Sequence, residues 1–405
     1  MATRRLYYED GQQTAFIATV LSCTPTGTGY EVILDRTAFY PEGGGQACDL
    51  GTLGTAQVLD VQEKEEQVVH LCDCALEPGV LVDGCVQWQR RFDLMQQHTG
   101  EHILSGLIFK KYGYQNSGFH VGKDVMEVDF DGPIPSEDLW ALEEEANALI
   151  WQNLPVHCYY PAREELPHIP YRTKRALPWP VRIVEIPGGD ICACCGIHVA
   201  FTGQVGLIKI LSCVALRGGV RLELVCGQRA YRYMAHIFGQ NREISRLLSA
   251  KMPETAAAVQ SLQTHCNEEK YRAGALQKKV FEYVAAGYAG QSLALHFEEG
   301  LNSGGVRDLA QAIGQYAAFS VVCSGSDDAV YSICIYSEHT DVSVFGKQAI
   351  QSLNGRGGGK KEAVQGTVHA TRGQIVRFFE DAAQSVHGLQ EVSILGKNHR
   401  KQQIK

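Results

Sequence analysis

In the stretch DLMQQHTGEHILSGLIFKKYG, residues 93–113, the hydrophobic pattern changes from that of short strands to that of a helix. Short alternating segments precede it, whereas its own apolar residues recur at the spacing of one helix face, at Leu94, Ile103, Leu104, Leu107 and Ile108. The pattern stops at Gly113, a residue type that commonly ends helices. The stretch therefore predicts a helix that opens a mixed α+β domain at about Trp88.

The residues before this helix predict a small all-β domain. FIATVLSC, YEVILD, AQVLDVQ and EQVVHLC are rich in β-forming residues and are separated by turn clusters such as TPTGTG and PEGGGQ. Short strands at this spacing are typical of a small barrel or sandwich. We expect an N-terminal β-barrel-like domain over residues 1–88.

The residues after the helix divide into three further segments. Residues 89–235 mix strands and helices and predict an α+β domain. Residues 236–285 are helical and interrupted at Pro253, so we expect two helices or a kink that form an interdomain arm, a dimer seam or a hairpin packed on its own domain. Residues 286–405 alternate strands and helices and predict a C-terminal α/β domain. The fold class is therefore α+β multidomain.

Composition limits where the protein acts and what it binds. Of the 405 residues, 45% are hydrophobic and 20% are charged, which is typical of a soluble globular protein. We find no signal sequence and no run of about 20 apolar residues, so we expect a cytoplasmic protein without a membrane partner. The net charge of −8 argues against general coating of nucleic acid, but from Asp341 onward ten basic residues stand against five acidic ones.

The helix at 93–113 carries half of a candidate metal site. His98 and His102 are four residues apart and therefore lie on one helix face, where both imidazoles can reach one ion. Alone, the pair is also compatible with two ordinary polar residues on a helix.

The stretch GGDICACCGIHV, residues 188–199, supplies the remaining donors. Cys194 and His198 are also four residues apart, and Gly196 between them relaxes the backbone. Together with the histidine pair of the helix they make a set of three imidazoles and one thiolate, which suits zinc. Cys192 and Cys195 are rival thiolates. A redox or structural cysteine cluster unrelated to the histidines is the alternative that spacing leaves open.

Three motifs together resemble the AlaX family, free-standing relatives of the editing domain of alanyl-tRNA synthetase. They are the glycine-rich DRTAFYPEGGGQACDLGTL (35–53), the His-x-x-x-His segment RFDLMQQHTGEHILS (91–105) and DICACCGIHVAFTGQVGLIKILS (190–212). The length, the helical arm and GRGGGKKEAVQG further resemble the long AlaX form, whose C-terminal part is a DHH-associated domain.

The resemblance implies an activity and a ligand set. It implies hydrolysis of mischarged Ser-tRNA(Ala), with Gly-tRNA(Ala) as a further substrate, and no aminoacylation. It implies one Zn²⁺ per chain, held by His98, His102, Cys194 and His198, with Cys192 and Cys195 as bystanders. The zinc ion would activate water, polarise the ester carbonyl or position the substrate. A homodimer, if formed, would use residues 236–285 or the C-terminal domain.

The resemblance also implies two groups of binding residues. The substrate group comprises Gly43, Gly44, Gly45 and Gln46, which otherwise form a tight turn, and Asn116 and Ser117, which align with the strand that lines the family's amino-acid pocket. The tRNA group comprises Arg356, Gly357, Gly358, Gly359, Lys360 and Lys361, whose N–H groups and charge can cradle phosphates. The basic tail HRKQQIK is a further hypothesis for nonspecific tRNA affinity.

Two departures from the family motifs bear on the site. Ile197 replaces a threonine of the usual Cys-Gly-Gly-Thr-His segment, which removes a hydroxyl near the metal. Gly100, inside the His-x-x-x-His helix, should cost about 1 kcal/mol of helix stability relative to alanine and indicates crowding against the substrate or the barrel. The alternatives to the editing hydrolase are a zinc hydrolase of another ester or amide, and a tRNA-binding protein whose zinc is structural.

Overall fold

The structure is a computed structural model that describes residues 2–173 and 177–385. The chain divides into two compact units, Met1–Met252 and Pro253–Lys405. The mixed α+β multidomain class predicted from the sequence is confirmed. The predicted border between residues 88 and 89 falls inside the first unit, and the four predicted domain ranges stay predictions. The tail HRKQQIK lies outside the described residues.

The first unit begins with eight strands and one short helix, α1 (Leu6–Glu9). The strands are β1 (Arg4–Arg5), β2 (Ala15–Thr26), β3 (Gly29–Leu34), β4 (Arg36–Thr37), β5 (Gly51–Leu53), β6 (Ala56–Lys64), β7 (Gln67–Cys72) and β8 (Leu81–Val86). Six of them close a barrel in the order β2-β3-β7-β6-β5-β8, and β1 pairs with β4 in parallel. Along β8, buried and exposed side chains alternate. A barrel wall needs this alternation, because one face of each strand lies in the core and the other faces solvent.

The described residues in the rest of the first unit include three α-helices and two small sheets. The helices are α2 (Trp88–Tyr112), α3 (Ser136–Trp151) and α4 (Gly227–Leu248). The strands are β9 (Asn116–Val121), β10 (Met126–Phe130), β11 (His157–Tyr159), β12 (Ile183–Ile186), β13 (Asp190–Ala193), β14 (Ile208–Leu216) and β15 (Gly219–Cys226). They form antiparallel sheets in the orders β14-β15-β10-β9 and β11-β12-β13.

Helix α2 is the central element of the first unit. Every residue from Leu94 to Ile108 is buried, and the helix ends at Gly113 in the left-handed conformation, as the sequence predicts. One continuous apolar core extends from the barrel to β15 and includes Leu94, Ile103 and Ile208. A helix buried on all sides must satisfy its polar side chains inside the protein, so its histidines are held by partners from several elements.

In its described residues, up to position 385, the second unit contains a five-stranded sheet and four α-helices. The strands are β16 (Leu293–Phe297), β17 (Phe319–Ser324), β18 (Tyr331–Tyr336), β19 (Arg356–Lys360) and β20 (Ala363–Val368), in the order β16-β17-β18-β20-β19. The helices are α5 (Thr255–Ala286), α6 (Ser303–Gly314), α7 (Ser343–Ser352) and α8 (Arg372–Ser385). The predicted interruption at Pro253 is present, since α4 ends at Leu248 and α5 begins at Thr255. Among the described residues, no helix combines the length and apolarity needed to cross a bilayer.

The glycine-rich segment predicted to cradle phosphates forms the edge strand β19. It pairs antiparallel with β20, and all five of its residues are exposed. A Cβ at Gly357 or Gly359 would overlap carbonyl oxygens of β20, so these glycines permit a close approach of the two strands.

Candidate metal centre and substrate cavity

Four predicted ligands converge from two distant parts of the chain. The ligating atoms of His98, His102, Cys194 and His198 lie within 4.8 Å of one another. Helix α2 carries the first two, and the segment after β13 carries the other two. The His98 ring centroid lies 4.6 Å from that of His198 and 5.2 Å from that of His102. The arrangement is therefore a compact N₃S cluster, and the three imidazoles are buried.

The three imidazoles share one hydrogen-bonding scheme. His98 Nδ1 lies 2.7 Å from Gln46 Oε1, and His102 Nδ1 lies 3.0 Å from Asp190 Oδ2. His198 Nδ1 lies 3.2 Å from Thr99 Oγ1. Partners at Nδ1 hold each ring so that Nε2 is the remaining ligand atom, which is the usual arrangement of metal-binding histidines.

Two features of the cluster suit a metal ion: a buried histidine nitrogen without a hydrogen-bond partner among the described residues, and the types of its donor atoms. His198 Nε2 is buried and makes no hydrogen bond within the described part of the chain. Cys194 Sγ lies 3.4 Å from His98 Nε2 and accepts a 3.3 Å bond from Gly196 N–H. A buried nitrogen without a partner is costly, and imidazole with thiolate donors is the set that zinc prefers. The residues present therefore fit a zinc ion.

Charge interactions favour the thiolate at the centre of the cluster. Burial raises the pKa of the Cys194 thiol, but the neighbouring His98 and His102 outweigh burial and hold it well below its ordinary value. Burial opposes the charged form of His102, yet Cys194 and Asp190 raise its pKa well above the ordinary value. Burial and the proximity of His98 lower the pKa of His198. The ionised thiol is the form that binds a metal.

Arg172 and Arg182 fix the segment that carries Cys194. The Arg172 guanidinium donates two 2.7 Å bonds to Asp190, the carboxylate that also holds His102. Arg182 Nη1 donates to the carbonyl oxygens of Cys194, at 2.9 Å, and Gly196, at 2.8 Å. Sequence reasoning missed both arginines, and no local spacing marks them because their partners lie 12 to 18 residues away on other segments.

Gly196 has a different role from the one expected. Its φ is not positive, so it does not serve to relax the backbone. A Cβ at this position would overlap Cε1 and Nδ1 of the His98 ring. Glycine is required because the cysteine segment passes directly against the imidazole.

The other two cysteines of the cluster lie outside the four-ligand set. Cys192 falls in a second group with His102 and Asp190, whose candidate ligand atoms also lie within 4.8 Å of one another. Burial raises the pKa of Cys192 to about 11, which disfavours the thiolate. Cys195 is exposed.

A cavity of about 390 Å³ opens beside the cluster. Its wall includes His98, His102 and Cys194, together with Gly44, Gly45, Glu101, Gln115, Asn116, Ser117, Gly118, Phe119, Arg172, Thr173, Leu177, Cys192, Ala193 and Cys195. The volume suits a small polar group such as an aminoacyl end. Four of the six predicted substrate residues thus line one cavity beside the predicted metal ligands.

The remaining two predicted substrate residues are placed differently. Gly43 and Gln46 close the turn through a pair of 3.0 Å backbone hydrogen bonds. The Gln46 side chain is fully buried and contacts His98, so it supports a ligand ring. At the cavity wall, Gly44 and Gly45 have φ of +60° and +81°, and a Cβ on Gly45 would overlap Phe119. Glycine therefore keeps the backbone of this turn open to the cavity.

Two family profiles match separate parts of the chain. The family described as "Threonyl and Alanyl tRNA synthetase second additional domain" matches residues 181–222, which include the cysteine segment. The family described as "tRNA synthetases class II (A)" matches residues 3–90, which include the barrel strands.

Individual proteins also match most of this chain. The chain is 28% identical to the alanyl-tRNA editing protein Aarsd1-A of Xenopus laevis, over 94% of this chain and 98% of that protein. It is 28% identical to Aarsd1 of Mus musculus, over 89% and 93% of the two chains. It is 30% identical to the alanine–tRNA ligase of Ignicoccus hospitalis, over 88% of this chain but only 40% of the ligase.

One solved structure, the C-Ala domain of Aquifex aeolicus alanyl-tRNA synthetase, shares 17% identity over 23% of this chain and 91% of that domain. Its TM-score is 0.20, so this likeness carries no weight for the fold.

Proposed function

Because the chain belongs to the AlaX family of free-standing editing proteins, we propose that it is a hydrolase that deacylates mischarged Ser-tRNA(Ala), with Gly-tRNA(Ala) as a second substrate. Relatives named as alanyl-tRNA editing proteins support tRNA editing in general. The observation that carries the specific proposal is the N₃S cluster in the wall of the 390 Å³ cavity. The activity is hydrolytic and does not include aminoacylation.

One Zn²⁺ held by His98, His102, Cys194 and His198 is the cofactor of this proposal. The convergent Nε2 atoms, the buried unpartnered nitrogen of His198 and the thiolate support it. A zinc ion at such a site supplies Lewis acidity, which polarises a carbonyl or lowers the pKa of a bound water.

The protein's own groups bind and orient the ester. The backbone N–H groups of Gly44 and Gly45 are proposed to contact the acyl-adenosine end, because no side chain separates this turn from the cavity. Asn116 and Ser117 line the same cavity from β9 and are proposed to bond the serine hydroxyl. A pocket that bonds a hydroxyl leaves polar groups unpaired with alanine, which disfavours hydrolysis of correctly charged Ala-tRNA(Ala).

The second unit is proposed to contact the tRNA backbone through β19. Gly358, Gly359, Lys360 and Lys361 line a cavity of about 550 Å³ whose wall also includes Arg307. Basic side chains beside an exposed glycine strand can approach phosphates closely, and they add affinity without sequence preference.

Deacylation of a panel of substrates tests the substrate proposal. Ser-tRNA(Ala) and Gly-tRNA(Ala) should be hydrolysed much faster than Ala-tRNA(Ala), as measured by release of labelled amino acid. If simple esters or amides are cleaved while all three tRNAs persist, the protein is a hydrolase of another class.

The variant His102→Ala separates an active site from a structural zinc site. We expect the variant to lose deacylation while its melting temperature and tRNA affinity stay close to those of the wild type. If instead the variant does not fold and the wild type has no deacylase activity, the protein is a tRNA-binding protein with structural zinc.

A further inference from the structure

Glu101 is a buried carboxylate in the wall of the cavity. It lies on α2 directly before His102 and three residues after His98, and only 4% of its surface is exposed. It is the one acidic side chain among the described residues that line the cavity. Its position places a negative charge beside the proposed metal centre without belonging to the four-ligand set.

One oxygen of this carboxylate is held and the other is available. Oε1 accepts hydrogen bonds from Ser105 Oγ and from Asn116 Nδ2. Oε2 accepts none from any described residue, and it lies 3.9 Å from His102 Nε2. Two donors on one oxygen fix the side chain and leave Oε2 for a ligand in the cavity.

Among the described residues, the two cationic side chains beside Glu101 already have other partners. Arg172 lines the cavity, but its guanidinium makes both of its 2.7 Å bonds to Asp190. His102 is held at Nδ1 by the same Asp190. A buried carboxylate oxygen that accepts no hydrogen bond is unfavourable, so a ligand that brings a charged N–H donor to Oε2 would be stabilised here.

We propose that Glu101 Oε2 binds the α-ammonium group of the aminoacyl ester, as a substrate-binding residue that selects free amines over acylated ones. This inference rests on the proposed function and adds the subsite that recognises the amino acid. The α-amino group is common to serine and glycine, and an adjacent carboxylate favours its protonated form. Glu101 therefore explains affinity for an aminoacyl end, while discrimination among amino acids is left to the rest of the cavity.

Paired substrates test the proposal directly. Ser-tRNA(Ala) and N-acetyl-Ser-tRNA(Ala) carry the same ester, but only the first has an ammonium group. We expect wild-type kcat/KM to favour the free amine on the order of 10- to 100-fold, the range of a hydrogen bond to a charged group. The isosteric variant Glu101→Gln should lose most of this preference, mainly through KM for the free amine, while zinc content is unchanged.

A matched variant controls for loss of a buried carboxylate. Glu143 on α3 is also buried, and it bonds Lys209 Nζ and Ile210 N at 2.7 Å, outside the cavity. Glu143→Gln should lower the melting temperature without changing the ratio between the two substrates.

Three results would overturn the proposal: a wild type without preference for the free amine, an equal loss on both substrates in Glu101→Gln, or loss of zinc from that variant. The last would assign the carboxylate to the metal.

Binding without turnover separates this inference from the proposed function. Calorimetry with 3′-deoxy-3′-(serylamino)adenosine, free or N-acetylated, measures the ammonium subsite without an ester. Absence of deacylation in the wild type would refute the proposed function, whereas equal affinity for the two analogues would refute the role of Glu101.

Discussion

At the scale of single residues, Thr99 supplies the hydroxyl that the sequence motif lacks at position 197. Ile197 is buried in the apolar core, whereas Thr99 Oγ1 lies 3.2 Å from His198 Nδ1 and accepts a 3.2 Å bond from Val199 N–H. The loss of the motif threonine therefore does not leave His198 without support. A hydroxyl from α2 orients this ring.

Replacement of Thr99 by valine should weaken zinc binding by about 10- to 100-fold, the usual effect of removing a group that orients a ligand. Competition with a chromophoric chelator measures this affinity. Thr202→Val is the matched control, since Thr202 Oγ1 is equally buried but bonds only backbone groups near Leu149 and Leu154. Equal affinities of the two variants would show that Thr99 does not act through His198.

The residues of the site were predictable only in part. The spacing of four within His98–His102 and within Cys194–His198 indicated the candidate ligands, and the family resemblance selected Cys194 over its neighbours. The partners Gln46, Asp190 and Thr99 could not be derived, because hydrogen bonds between residues 52 to 99 positions apart leave no local pattern. Glu101 likewise acquires its environment from β9, through Asn116.

At the scale of secondary-structure elements, a buried ion pair joins α2 to the glycine-rich turn. Arg91 and Asp49 are almost fully buried, and Asp49 also accepts a 2.6 Å bond from Tyr40 N–H. The pair thereby positions the segment that presents Gln46 to His98.

Asp49→Asn should destabilise the protein by roughly 3–5 kcal/mol, because it leaves the Arg91 guanidinium buried and uncompensated. Urea unfolding measures the free energy. Asp129→Asn is the control, since the Asp129–Arg221 pair is partly exposed and should contribute no more than about 1 kcal/mol. A similar small change in both variants would contradict the role given to Arg91.

His70 makes the stability of the barrel depend on pH. Burial lowers its pKa from the ordinary 6.5 to about 4; Nδ1 lies 3.1 Å from Val32 O, and Nε2 lies 2.9 Å from Thr37 Oγ1. Below pH 6.5 the unfolded chain therefore binds more protons than the folded one, so stability falls as the pH decreases towards 4.

The decrease in the free energy of unfolding that we assign to His70 reaches about 3 kcal/mol at pH 4. Urea unfolding between pH 7 and pH 4, with chelator present throughout to exclude effects of metal release, should show a shallower pH dependence in His70→Gln than in the wild type. Parallel curves would contradict this assignment.

The hydrophobic pattern of helix α2 predicts where the helix ends but not how completely it is buried. Its end at Gly113 followed from the sequence, but its burial on every side did not, because its apolar residues recur at the spacing of only one helix face. Gly100 was expected to relieve crowding against the substrate or the barrel. Instead, a Cβ there would overlap Cys226 Sγ on β15, so the glycine permits close packing of helix and sheet.

At the scale of the whole molecule, the barrel and the residues that follow it share one core. The strand pattern of residues 1–88 and the helical period after Trp88 predicted two folding patterns, and both are present. The shared apolar cluster could not be predicted, because periodicity shows which face is buried and not what covers it. The homodimer stays a prediction.

The second unit gives a test of tRNA binding. The double variant Lys360→Ala/Lys361→Ala should weaken tRNA binding and reduce the slope of log affinity against log salt by up to about 2, because two phosphate contacts are lost. Filter binding at several salt concentrations measures both. Lys278→Ala/Lys279→Ala, on the exposed helix α5, is the matched control. Equal slopes for the two double variants would argue against contact through β19.

Deacylation of Ser-tRNA(Ala), measured together with the metal content of the same sample, tests whether the N₃S cluster is a zinc site on which editing depends. We expect about one zinc ion per chain, loss of hydrolysis in step with its removal by a chelator, and recovery of both on addition of Zn²⁺. Undiminished hydrolysis by a protein shown to contain no metal would contradict it.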